Sequence, residues 1–358
     1  MAILLHCDFL YLCTVEKYQI IRPERALNYS EALESVLKQL FAYAESATRQ
    51  GESLRFVRFF LSDAQHQEEK LHAALQGCLP GVAVSIVQQP PLDDSLIAAL
   101  AIASDSCQDV LFHSLRLTEE EAAGRSSYEQ ARILFEKYLR NIRPLGLNLA
   151  THCVRTWIYV RDIDFNYAGL VKARNDVFDE EGLSFDTHYI ASTGIGGATG
   201  AGSALVAIDF LTYPGIHESD KSYLKALSHL SPTHDYGVAF ERGVTLSDGH
   251  VFISGTASID SKGRILHEGD VLKQAGRLLE NIAALLREAG LQGTDEQILD
   301  EVPYFIVYLR NPSDYAEVED YMLARFPHTQ HLILHAPVCR PGWLIEMECE
   351  AYSASSAE

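Results

Sequence analysis

Long apolar runs are missing from this 358-residue sequence: 47% of it is hydrophobic, yet no stretch approaches a membrane span, which needs roughly 18 such residues in a row. No membrane partner is expected. Positive charge is scarce, with 29 Lys and Arg against 49 Asp and Glu, a formal net charge of -20 with no basic stripe to offset it. Such a surface repels a phosphate backbone, so nucleic acid is not an expected partner. The seven cysteines (Cys7, Cys13, Cys78, Cys107, Cys153, Cys339, Cys349) form no CxxC pair. An odd number in a chain this long suits a reducing compartment without structural disulfides. The opening MAILLHCDFLYLC lacks a basic n-region and carries Asp8, so it reads as a strand and not a signal peptide. These absences point to a cytoplasmic protein.

Motifs for common chemistries are also lacking. Fourteen histidines form no HExxH or other metal-ligand spacing, and no GxSxG elbow is present. The glycine-rich STGIGGATGAGS has Thr199 where a GxGxxG counted from Gly194 needs its third glycine. It also leads into a strand, so it reads as a loop or lid and not as a dinucleotide cradle. No metal and no organic cofactor is expected.

A repeat is present. From Asp270 to Ala289, Val271, Ala275, Leu278, Leu279, Ile282, Leu285 and Leu286 recur at helical spacing, with Asp270 as N-cap and Gly290 as terminator. The strand HVFISGTASID precedes this helix; VPYFIVYLR, a helix from about Pro312 to Arg325 and two strands through Glu350 follow it. The order is ββαβαββ. Upstream, EQARILFEKYL (129–139) parallels KQAGRLLENIA (273–283), RTWIYVRDIDFNY (155–167) parallels FIVYLRNPSDY (305–315), and LVAIDFLTY (205–213) parallels LIEMECEAY (344–352). A fainter copy opens the chain, with a helix Ser30–Gln50, the strand LRFVRFFLSD, a helix Gln65–Leu75 and a last strand from Leu96.

The units therefore run 1–105, 106–215 and 232–353, with a linker over 216–231 inside the charged stretch His217–Asp235 and a tail over 354–358. A lone unit covers one face of its sheet with two helices and must bury the other elsewhere. Three copies can bury it against each other, whereas short connections leave little slack for three separate beads. The expected fold is α+β, three tandem units closed into an intramolecular pseudo-trimer. Such a chain is expected to be a monomer or a weak oligomer.

Tyr236-Gly237, SGTASID (254–260), GDVLKQAGRLLENIAALLREAG (269–290), Phe326-Pro327 and LIEMECEA (344–351) together resemble the RidA (YjgF) family over about 115 residues. The resemblance implies chorismate-mutase-like units, a fused version of that family's homotrimer, and sites between units. RidA proteins hydrolyse enamines and imines with an arginine shortly after the Phe-Pro. Here His328, Thr329, Gln330 and His331 follow instead, with Arg340 as the one replacement that could reach the same space.

A second resemblance, over roughly 150–352, is to the chorismatases. It rests on RTWIYVRDI (155–163), the Arg174 region, STGIG (192–196), YGVAF (236–240) and FPHTQHLILHAPVCRPGWLIEMECEA (326–351). It implies Glu346 as catalytic acid and an anionic, chorismate-like substrate. Protonation of the enolpyruvyl methylene would release pyruvate and leave a dihydroxycyclohexadiene carboxylate or a hydroxybenzoate. Arg155, Arg174 and Arg340 would hold the carboxylates, Tyr159 would add a hydroxyl, Ser258, Gly255 and Cys339 would shape the pocket, and Thr193 and Tyr236 fall in the matching motifs. A RidA-type deaminase and a non-catalytic small-molecule binder are the alternatives.

The chain supplies its own control for Glu346. The equivalent position on the last strand is Ala207 in the second unit and Ala98 in the first. Alternation puts Ile345, Met347 and Cys349 toward the helices and Glu346, Glu348 and Glu350 on the other face, toward a neighbouring unit. Arg155, Trp157 and Tyr159 likewise share one face of their strand. Arg242, in FERG, reads as a partner for Glu241 or for a neighbouring loop, and Cys339 as a pocket or core thiol.

Overall fold

The computed structural model describes residues 16–24, 28–105 and 110–353. The opening segment expected as a strand, Cys7, Cys13, Cys107 and the tail 354–358 lie outside the described residues. In chain order the strands are β1 (Lys17–Ile21), β2 (Ser53–Leu61), β3 (Ala83–Gln88), β4 (Ile97–Ser104), β5 (Leu111–Leu115), β6 (Cys153–Val160), β7 (Ala191–Gly196) and β8 (Val206–Thr212). They continue with β9 (Lys221–Leu224), β10 (Gly243–Leu246), β11 (His250–Ala257), β12 (Tyr304–Leu309), β13 (Gln330–His335) and β14 (Ile345–Tyr352). The fold is mixed α+β with three sheets, ordered β1-β4-β2-β3, β5-β8-β6-β7 and β13-β12-β14-β11-β10-β9.

Each sheet pairs its last strand antiparallel with the strand leading into a helix, and pairs that strand parallel with the one leaving it. The registers are equivalent: Ala98 lies opposite Phe60, Ala207 opposite Tyr159 and Glu346 opposite Tyr308. A carboxylate in one sheet thus occupies the point where the other two carry a methyl group.

The long helices form where periodicity and caps agree. Val271–Glu288 is capped by Asp270, whose side chain accepts from the Lys273 amide at 3.0 Å, and the chain turns away at Gly290 with φ +104°. Its buried face includes Ala275, Leu278, Leu279, Ile282, Leu285 and Leu286. The helices Tyr29–Arg49 and Ser127–Ile142 cover the first and second sheets in the same way, through Val36 and Leu40 and through Leu134, Phe135 and Tyr138. The opposite faces meet in one apolar cluster containing Phe60 and Leu100, Trp157 and Tyr159, and Tyr308 and Ile306.

Three expectations need correction. The stretch expected as linker contributes β9, which pairs antiparallel with β10 and makes the third sheet six-stranded. Lys221 is buried there because its ammonium donates to the Ala150 and Thr151 carbonyls at 3.3 and 2.9 Å and pairs with Glu218. STGIGGATGAGS is a loop only in its second half: its start belongs to β7 (Ala191–Gly196), and the stretch from there to β8 lies outside strands and helices. A Cβ on Gly196 would fall 2.7 Å from Pro337 Cδ, so glycine is needed for the backbone to pass this close. Among the described residues the second sheet has one strand, not two, before its first helix, and a further helix, Asp295–Asp300, precedes β12.

Single bridges tie the sheets to one another: Gln88 with Ala198, Pro91 with Leu334, Ile195 with Val338, and Ala191 with Glu241. No helix among the described residues is long and apolar enough to cross a membrane.

Candidate active site

On β14 the alternation sends Glu346, Glu348 and Glu350 to the face packed against the neighbouring sheets, and all three are buried. Their surroundings differ. Glu346 lies opposite Tyr308 and Ala257 and opens into a cleft between the second and third sheets. Only 5% of it is exposed. Burial, then the neighbouring Glu348 charge, pushes its carboxyl up to about 8, against the pull of Arg242 and Arg155. The group is therefore neutral at pH 7 and able to give a proton. Gly255 forms the wall beside it, since a Cβ there would lie 2.1 Å from Glu346 Oε1.

Cations face this acid across the cleft. Arg174, on the helix Ile163–Glu180, is 1% exposed, and its Nε and Nη2 have no hydrogen-bond partner among the described residues. A buried guanidinium with open donors is costly unless an anion meets it. Its guanidinium and that of Arg242 lie 5.9 and 5.2 Å from the centre of the Phe240 ring, and Arg242 also donates to the Ser231 carbonyl at 3.0 Å. Arg340 lies 4.9 Å over the Trp343 ring, whose Nε1 donates to the Ser258 carbonyl at 3.0 Å. Cys339 also lines the cleft; burial, then the Glu346 charge, pushes its thiol up to about 12, so it is a neutral wall and not a nucleophile. A neutral acid facing three guanidiniums can bind a dianion and protonate it.

Of the residues expected from sequence, Glu346, Arg174, Arg340, Cys339 and Gly255 line this cleft. Arg155 does not. Its Nη2 donates to Glu348 Oε2 at 2.9 Å, to Thr193 Oγ1 at 2.6 Å and to the Ile253 carbonyl at 3.3 Å, so a protein carboxylate takes the place of a ligand. Tyr159 likewise points to the core and donates to Asp209 at 3.1 Å. Ser258 is turned away, donating to the Leu266 carbonyl at 2.9 Å. Thr193 acts behind the wall, its hydroxyl accepting from the Gly255 amide at 2.9 Å and donating to Glu348. Tyr236 closes the 3-10 turn Thr233–Tyr236, and its side chain lies outside the described residues.

Arg242, Phe240, Tyr167 and Trp343 line the cleft although no role was expected of their side chains. Phe240 and Trp343 sit inside the matched motifs YGVAF and CRPGWLIE, which was their one signal; Glu241 accepts from the Tyr189 amide at 2.9 Å.

The other two carboxyls of β14 are saturated. Glu348 accepts from Arg155, Thr193, Trp157 and Tyr308, and Arg58 stands 3.5 Å away. Glu350 joins His250, Glu16 and Tyr304 around Tyr18, whose hydroxyl lies 3.1 Å from Glu16, 3.2 Å from His250 and 2.9 Å from Glu350. That hydroxyl fills the space between them, giving a hydrogen-bonded knot between the first and third sheets.

Residues 230–353 match the family model described as Endoribonuclease L-PSP. A RutC family protein of Pyrococcus abyssi is 32% identical over 104 residues, 28% of this chain and 77% of that one. A 3-hydroxybenzoate synthase of Streptomyces hygroscopicus is 27% identical over 212 residues, covering 54% of this chain and 62% of that protein's length. The crystal structure of a chorismatase superposes with a TM-score of 0.66 over 94% of this chain and 98% of its own, at 21% identity, a likeness of fold.

Proposed function

The chain belongs to the RutC family, within the RidA/YjgF superfamily, and on that premise we propose that it is a chorismatase-like hydrolase or lyase acting from the Glu346 cleft. One observation carries the reading: a buried carboxyl held up at about 8 shares a cleft with the buried Arg174, whose Nε and Nη2 lack partners among the described residues. Few substrates need both a proton and two anion clamps. An enolpyruvyl ether on a carboxylated ring does. The 3-hydroxybenzoate synthase relative and the shared fold of the chorismatase support the same substrate class.

In this mechanism Arg174, Arg242 and Arg340 hold the two carboxylates. Glu346 gives its proton to the methylene carbon of the enolpyruvyl group, whose C=C electrons form the new C–H bond and leave an oxocarbenium ion. Water adds to that carbon and returns a proton to Glu346. The hemiketal then collapses, breaking the ether bond, with the proton ending on the ring oxygen, to give pyruvate and a dihydroxycyclohexadiene carboxylate. If the oxocarbenium ion departs as pyruvate before water adds, the ring C–O bond breaks and a ring C–H proton returns to Glu346, which aromatises the ring to the hydroxybenzoate. Gly255 and Cys339 shape the wall that faces the ring, and Thr193 supports Gly255. Neither route requires a metal or organic cofactor.

We further propose that the three sheets are three RidA-like units, 1–105, 106–215 and 232–353, closed into a pseudo-trimer that functions as a monomer or weak oligomer in the cytoplasm. The common strand registers and the bridges between all three sheets support this reading.

Incubation of the purified protein with chorismate, followed by mass identification of products, is the test. Pyruvate in equal amount with a ring product is expected; no turnover refutes the assignment. The position of Arg340 in the cleft supports a second reading, a RidA-type enamine deaminase with a relocated cation. Pyruvate formation from a 2-aminoacrylate source but not from chorismate would select it.

A further inference from the structure

We propose that Glu348 is a positioning residue for Glu346: a carboxylate fixed by all three sheets, whose charge keeps the acid two residues away in its protonated form. This rests on the reading of Glu346 as the proton donor. Glu348 Oε1 accepts from Trp157 Nε1 and Tyr308 Oη, each at 3.0 Å, with Arg58 Nη1 at 3.5 Å; Oε2 accepts from Arg155 Nη2 at 2.9 Å and from the Thr193 hydroxyl. Each of these neighbours donates to it. Two of these donors are guanidiniums, so the carboxylate serves as their counter-ion.

Glu346 is placed differently. Tyr167, Cys339 and the cations Arg174, Arg242 and Arg340 line its cleft, and Arg155 stands behind it with Glu348. Two residues along a strand place the two carboxyls on one face, about 7 Å apart. At that range a fixed negative charge in a partly desolvated site raises a neighbouring acid by about 1 to 2 pH units. Glu348 acts a second way with the same sign, because it neutralises Arg155, which would otherwise favour the ionised form of Glu346.

A third link is mechanical. The Thr193 hydroxyl that donates to Glu348 accepts from the Gly255 amide, and Gly255 leaves the room that Glu346 Oε1 occupies.

A purely structural role is the rival. Asp209 holds the equivalent place in the second sheet, fixed by Arg116 at 2.8 Å, Ser85 at 2.6 Å and Tyr159 at 3.1 Å, yet Ala207 stands where an acid would be. A buried anchoring anion therefore occurs without anything to tune, and the experiment must read the titration of Glu346 itself.

Infrared difference spectra, with the carbonyl band of Glu346 identified by its loss in Glu346→Gln, give that titration without substrate. The midpoint in Glu348→Gln is expected to fall by about 1 to 2 pH units from that of the unsubstituted protein. The double variant Glu348→Gln/Arg155→Met removes the ion pair whole and spares the fold an unpaired buried charge. Its midpoint is expected between the other two. An unchanged or higher midpoint in either folded variant overturns the proposal. Absence of chorismate turnover in the unsubstituted protein would sink the chorismatase reading and leave this titration unaffected.

Discussion

The junction between the second and third sheets and the junction between the first and second are built on strands in the same register, yet only the former contains the acid. In the first of these Glu346 opens into a cleft with Arg174 and Arg242 across from it. In the other the same register point is Ala207, and the anion two residues on, Asp209, is spent on Arg116, Ser85 and Tyr159. The backbone frame is shared, so the difference lies in a handful of side chains. A buried charge becomes reactive when its protein partners are withheld, and structural when they are supplied.

That contrast can be broken most sharply at Glu346. Glu346→Gln is expected to lower chorismate turnover by about 1,000-fold, within the range for a lost general acid, with the melting temperature held or raised; full pyruvate release would refute the role. Arg174→Met should lower kcat/KM by about 30-fold, the scale of one charged hydrogen bond, while leaving the melting temperature unchanged or raised because a costly buried cation is gone. Loss of stability in place of activity would put Arg174 with the anchors.

The pH dependence follows from the raised carboxyl. A folded-state value of about 8, above the ordinary 4.5, contributes stability that is present below pH 4.5 and lost as pH rises through 8. The stability gained by Glu346→Gln over the unsubstituted protein should therefore widen across that window, by up to roughly 5 kcal/mol, and stay flat above it. Turnover should decline above about pH 8, as the acid ionises. Denaturation midpoints and pH–rate profiles measure both. The smallest effect is expected at Tyr159→Phe, which removes one donor from Asp209 and costs about 1 kcal/mol with turnover unchanged; a large loss of turnover would return Tyr159 to the site.

Much of this was legible in the sequence. Helical periodicity with Asp270 and Gly290 at its ends located Val271–Glu288, and strand alternation put Glu346 on the inward face while Ala207 and Ala98 marked it as exceptional. Arg155 was misassigned because a cation on a buried face has two possible partners, a ligand or a carboxylate on the next sheet. Its partner Glu348 lies 193 residues away in the chain. β9 was hidden because four residues, with Lys221 among them, are too few for alternation to stand out. STGIG was misread because its glycines suggest a turn, whereas Gly196 serves a backbone contact with Pro337. Arg242 was set aside because a pair with Glu241 or a neighbouring loop accounted for it; it does donate to the Ser231 carbonyl, and it lines the cleft as well.

All three sheets are covalently one molecule, and this changes what mutation can explore. In an assembly of identical subunits every substitution appears at each copy of the site, so a residue that helps one location and harms another is rejected. Here Glu346, Ala207 and Ala98 could diverge one at a time. A change at the Glu346 position can thus be made without a matching change at Ala207 or Ala98, and the arginines lining its cleft need appear in one sheet's surroundings alone.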